Sequence, residues 1–201
     1  MLRQHHAARR NHLEEFMRNH FIYCGLAVSL ACAASAQTAP AEAASIVVAN
    51  PTYISIPLEI AVNRPAAEVW KRVGKFCDIG EWFRIPCTIT SGKDGEFGAV
   101  RSVAGEILVG KTELSYTYTQ AVRAGRPYNL YHGTLEARPV TATTSKLVYT
   151  LVFDNSMLAD DAAREKDKTQ KTATFTRALE NMKIIAEGGT LPPAPPRGGR
   201  N

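Results

Sequence analysis

The side chains able to do chemistry are unevenly placed along this 201-residue sequence. Four of its five histidines (His5, His6, His12, His20) and two of its four cysteines (Cys24, Cys32) lie within the first 32 residues. Beyond them stand only His132, Cys77 and Cys87. One imidazole and two thiols do not supply the two or three nitrogen ligands of a catalytic zinc or iron site. A Ser-His-Asp arrangement would have to use His132. There is no GxSxG, HExxH, Gly-rich phosphate loop or CxxC. What is left is hydroxyl and carboxylate chemistry: Tyr116, Tyr118, Tyr131 and Tyr149, with Glu106 and Arg101, all inside Val/Thr/Leu-rich segments. No metal or cofactor is expected.

The elements that must position these groups follow from periodicity. Tyr53 to Val62 alternates as a strand. Pro65 opens a helix over 66–75, with Val69, Trp70 and Val73 on one stripe, and 79–83 reads as a second short helix. From Cys87 to Asp154 the period is two. The runs CTITSG, AVRSVA, GEILVG, TELSYTYTQ, YNLYHGTLEA and KLVYTLVFD are separated by Gly-containing turns, which predicts an antiparallel meander. After Asn155 the period becomes helical. Phe175, Ala178, Leu179, Met182 and Ile185 form one face of a long helix, with 166–171 and 180–183 assigned to its solvent side. A sheet with one apolar face must be covered, and a helix laid across a curved sheet leaves room for a ligand.

The flanks read differently. FIYCGLAVSLACAA (21–34) is uncharged, follows Arg18, and ends before the small-x-small site Ala34-Ser35-Ala36. Residues 1–36 are therefore expected to be a secretory signal, with Met17 as an alternative start, and the mature protein to be periplasmic or secreted with no membrane span. Cleavage lowers Lys+Arg from 24 to 20 and Asp+Glu from 19 to 17. The resulting +3 is scattered and gives no argument for nucleic acid. Residues 37–51 are expected to be a linker, 52–187 the folded domain and 188–201 a disordered Pro/Gly-rich tail. In an oxidising compartment Cys77 and Cys87 either pair, closing a short loop, or remain two partly buried thiols.

PAAEVWKRVGKFCDIGEWF, then DGEFGAVRSV, GEILV, YTYT, YHGTLEA and LVYTLVFD, together resemble the START/Bet v 1-like (SRPBCC) superfamily. The resemblance is strongest to its bacterial polyketide cyclase/dehydrase-like branch. It implies an α+β helix-grip fold: a curved seven-stranded antiparallel sheet around a long C-terminal helix, with two short helices after the first strand. It also implies a largely apolar pocket and no cofactor. Departures are Ile107 where members commonly carry Arg, Tyr149 in place of a common Trp, and the absence of the plant hormone receptors' gate sequence.

Alternation and the resemblance sort the candidate pocket residues. Leu114, Tyr116 and Tyr118 share one face. So do Tyr131 and Leu135, which leaves His132 outward. Tyr149 and Leu151 share another, and Phe175, Leu179 and Met182 form a helical lid. The resemblance puts Glu106 on the cavity wall, as a weak catalytic candidate or an anchor for a ligand hydroxyl. Arg101 is expected to make a structural ion pair, with Glu106 as candidate partner, or to hold a substrate anion. Three functions stay open. The first is an exported binding protein for a hydrophobic small molecule (lipid, polyketide or aromatic). The second is a cofactor-free cyclase, dehydratase or hydrolase using Glu106 and tyrosines. The third is an accessory interaction module of a periplasmic complex, for which the sequence names no protein partner.

Overall fold

The first strand sets the frame, because it pairs with the last one residue for residue. In the computed structural model, which describes residues 48–123 and 125–193, β1 (Tyr53–Val62) runs antiparallel to β7 (Ser145–Asp154) from Tyr53↔Asp154 to Val62↔Ser145. β1 is an edge, which tolerates Pro57 in mid-strand. Between the two lie α1 (Ala66–Val73), α2 (Ile79–Trp82), β2 (Ile89–Ser91), β3 (Val100–Arg101), β4 (Glu106–Lys111), β5 (Ser115–Gln120) and β6 (Tyr131–Pro139). The seven strands form one antiparallel sheet in the order β1-β7-β6-β5-β4-β3-β2. This is the helix-grip architecture expected from the sequence.

Two local features give the sheet its shape near the candidate residues. A register shift between Leu108 and Gly110 leaves Val109 as an extra, half-exposed residue, and such a bulge bends and twists the strand. Gly133 lies directly opposite Tyr118, and a Cβ there would come within 2.4 Å of the tyrosine ring. Glycine at 133 therefore lets Tyr118 lie flat across the neighbouring strand.

The 26 residues of α3 (Asp161–Ala186) span about 39 Å at 1.5 Å per residue. Asp160 caps the helix by accepting the Ala163 N–H at 2.7 Å. Phe175, Ala178, Leu179, Met182 and Ile185 are buried against the sheet, the face that the periodicity predicts. α1 packs against α3, β6 and β7, and the Asn181 side chain donates to the Trp82 carbonyl at 2.8 Å, tying the end of α2 to α3. The chain turns back after Gly188, Leu191 packs against the core, and the Arg84 guanidinium donates to the Pro192 carbonyl. Residues 188–193, read in the sequence as the start of a tail, are thus held on the domain.

Cys77 and Cys87 form a disulfide with a Cα–Cα distance of 5.5 Å, joining the α1–α2 segment to the chain that leads into β2. The signal segment 1–36, most of the linker and the last eight residues lie outside the described residues. Among the described residues, no helix is long and apolar enough to cross a membrane, and no group of three or more His, Cys, Asp or Glu could hold a metal ion.

Candidate functional site

Arg101 and Glu106 are cross-strand partners on β3 and β4, joined by a turn with Ala104 and Gly105 in the left-handed region. Both side chains enter the core, with 0% and 5% of their area exposed. Arg101 Nε donates to Glu106 Oε2 at 2.6 Å, and its Nη1 donates to the Phe76 carbonyl at 2.5 Å. Glu106 Oε1 accepts from Gln120, its partner across β5, at 3.1 Å. The guanidinium sits 4.3 Å from the Phe76 ring centre and 4.8 Å from that of Tyr118. Burial pushes the Glu106 carboxyl above the usual range, while the Arg101 charge and the bonds from Arg101 and Gln120 pull it back. Beside this pair, the Tyr149 hydroxyl donates to that of Tyr118 at 3.0 Å, and burial raises both phenols well above normal.

Glu106, Tyr118, Leu135, Tyr149, Leu151, Leu179 and Met182 are all buried in the core, and none of them is a wall of the three recesses described below. Leu114 precedes β5 and packs partly buried against the core. The whole Arg101 side chain is buried among the Phe76, Tyr116 and Tyr118 rings, with Tyr149 bonded to Tyr118 beside them. Glu106 has both oxygens engaged, so it stands as the partner of Arg101, not as a free acid. His132, on the opposite parity, is only partly buried, and that burial lowers its pKa.

Open space lies instead along one flank of α3. A recess of about 660 Å³ is bounded by Trp82, Phe83 and Arg84, by Ala173 to Ile184 on α3, and by Pro192 and Pro193. A second, of about 270 Å³, lies between Arg126, Tyr128 and Tyr131 and the α3 residues Asp167 to Phe175, with Gln120 contributing to its wall. Thr174 is a wall of both. From Asp167 to Ile184 the groove covers about 26 Å of helix. Phe83 packs edge-on to Phe175 with ring centres 5.4 Å apart, and Tyr149 lies tilted against Phe175 at 4.7 Å. The buried Trp82 Nε1 has no hydrogen-bond partner. A third recess, of about 370 Å³, lies between Trp70, Phe76, Leu108 and Tyr116 with Lys75 and Lys111.

At the N-terminal end of the groove, Lys171 Nζ lies 2.5 Å from both Asp167 Oδ1 and the Tyr128 hydroxyl. That hydroxyl donates to the same Asp167 oxygen at 2.5 Å. The ammonium is 4.4 Å from the Tyr128 ring centre and 5.0 Å from that of Phe153. The sequence reading put 166–171 on the solvent side, and the structure corrects it for Lys171. A signal was present: Lys171 stands four residues before Phe175 and so extends the buried stripe by one turn. Tyr128, Asp167 and Gln120 were not singled out, because nothing local distinguishes them from other polar residues. Of the expected set, Tyr131 and Phe175 line the groove, and Tyr116 lines the third recess.

Similarity to known proteins is visible in structure. A solution structure from Thermobifida fusca superposes with a TM-score of 0.56 at 24% identity, covering 67% of this chain and 95% of that one. The Zhui aromatase/cyclase from Streptomyces sp. R1128 gives 0.52 at 18%, covering 69% and 100%. A truncated norcoclaurine synthase from Thalictrum flavum gives 0.52 at 10%, covering 72% and 100%. No family model matches the sequence, and no curated protein matches it. At these identities the likeness establishes the fold. The chain has the helix-grip fold, an architecture it shares with an aromatase/cyclase and a norcoclaurine synthase, and a fold by itself assigns no function.

Proposed function

We propose that this chain is an exported binding protein for a hydrophobic small molecule, a lipid, polyketide or aromatic compound, carried in the groove along α3. The observation that carries the reading is the larger recess, about 660 Å³ and lined by Trp82, Phe83 and Ala178, with a second recess on the other side of Thr174. That volume is in the range of small-molecule sites, and its mix of aromatic walls with a few polar groups suits an apolar body with a polar end. Export is supported by the signal-like segment 1–36 and by the Cys77–Cys87 disulfide, a bond that persists in oxidising compartments. Assignment to the polyketide cyclase/dehydrase-like branch belongs to the same proposal, supported by the motifs and by the fold likeness to the aromatase/cyclase.

The cyclase or dehydratase alternative would need Glu106 to reach a substrate, and that carboxylate is committed to Arg101 and Gln120. The interaction-module alternative would need a contiguous apolar patch.

The test is native mass spectrometry of protein purified from its own source, beside an Ala173→Trp variant that fills the larger recess. A bound small-molecule mass on the natural protein, lost in the folded variant, is expected. A bare protein that also fails to take up added 2-methylnaphthalene would end this reading.

A further inference from the structure

Three charged residues stand on the walls of the 660 Å³ recess: Arg84, Arg177 and Glu180. Their places are unequal. At about 100° of turn per residue, the α3 residues that bound the recess cover an arc of about 160°, with Glu180 at one limit and Ala178 at the other. Arg177 lies about 60° inside the Glu180 limit, in the i, i+4, i+8 row Ala173, Arg177, Asn181. The arginine therefore belongs to the middle of the face and the glutamate to its border. The residues around Arg177 on that face include Ala173, Thr174 and Ala178, whose small side chains leave room over the helix.

Arg84 follows α2 and forms part of the wall away from α3. Its guanidinium donates to the Pro192 carbonyl, and a guanidinium has further N–H donors to give. Arg84 is half-buried and Arg177 exposed, so neither is sealed off from a ligand. Among the described residues, neither arginine makes an ion pair. Cations beside the other two recesses are already bonded: Lys171 to Asp167, and Lys111 to the Gly95 carbonyl at 2.6 Å. Two arginines against one glutamate leave the larger recess with an excess of one positive charge. A carboxylate balances that excess, and its two oxygens match the planar fork of a guanidinium. An apolar body attached to it would lie against Phe83, Ile184 and Pro192.

We propose that the larger recess takes an apolar acid, with Arg177 receiving its carboxylate and Arg84 supplying a second donor from the wall away from α3. This rests on the groove reading above and adds to it the charge of the ligand.

The experiment titrates the disulfide-bonded protein at pH 7 with 2-naphthoate and with 2-naphthamide, which share a shape and differ in charge. The natural protein should bind the acid about tenfold tighter or more, the effect of charge-assisted hydrogen bonds. Arg177→Gln, at an exposed position, should bring the ratio of the two affinities close to one. Arg177→Lys should keep part of the ratio, since the charge remains and the fork is lost. Raising NaCl from about 50 to about 500 mM should weaken the acid and leave the amide alone, a readout that needs no variant. Equal affinity for acid and amide, or a ratio that Arg177→Gln leaves intact, overturns the assignment and leaves the groove reading standing. A ratio lost in Arg126→Gln and kept in Arg177→Gln puts the acid in the smaller recess and overturns it as well. If neither probe binds, the groove reading falls and this one with it.

Discussion

Two ion pairs built from similar parts differ in how completely this molecule encloses them. Arg101–Glu106 and Lys171–Asp167 each join a cation to a carboxylate among tyrosine and phenylalanine rings. The first lies across two strands with 0% and 5% of its side-chain area exposed, and both Glu106 oxygens are engaged. The second lies along one turn of α3 with 14% and 18% exposed, and one Asp167 oxygen is left without a donor. The difference teaches that a buried charge is not by itself a functional signal. The Glu106 carboxylate, with both oxygens met inside the protein, is committed to the fold, whereas the Asp167 carboxylate keeps one buried oxygen unmet.

The contrast predicts very different costs of breaking each pair. Glu106→Ala strands the Arg101 guanidinium in the core and should cost about 3–5 kcal/mol in urea unfolding. A loss below about 1 kcal/mol would mean that the guanidinium finds water. Removing the disulfide with Cys77→Ser and Cys87→Ser should cost about 2–3 kcal/mol by the chain-entropy account, read in the same experiment. Phe76, which holds Arg101 through its carbonyl and ring, is adjacent to Cys77, so the disulfide pins the segment beneath the buried pair. Gly133→Ala drives a methyl into the Tyr118 ring above Arg101 and should cost about 1–3 kcal/mol. Asp167→Ala, at the more accessible pair, should change stability by no more than about 1 kcal/mol. Equal costs for Glu106→Ala and Asp167→Ala would abolish the distinction.

The smallest effect belongs to a group outside both pairs. Burial lowers the His132 pKa, so the folded state takes up its proton less readily than the unfolded chain, whose value is near 6.5. Its contribution is complete above that pH and is lost as pH falls below 6.5 toward the folded value. His132→Gln should flatten that part of a thermal-melt pH profile. A slope unchanged by the substitution would assign it to other groups.

Much of the architecture was legible because strand and helix periods are local properties. Tyr53–Val62 is a strand with the boundaries the alternation gives, and the buried face of α3 follows from 3.6-residue spacing. The inward parity of Tyr116, Tyr118 and Tyr149 was legible for the same reason. The groove was not. It is made where α2, the loop before β6 and the returning 188–193 segment approach one helix flank, and sequence spacing carries no information on those distances.

Sequence by itself determined which side chains face the concave side of the sheet, since alternation has only two outcomes per strand. It also supplied two cysteines able to pair. Tertiary structure decided whether the inward groups enclose a space or fill it. That outcome depends on summed volumes and on the approach of elements far apart in the chain: Arg101 beside Phe76 and Tyr118, Asp167 beside Tyr128. The helix-grip frame is therefore written in short-range pattern, and the recesses beside α3 in long-range packing.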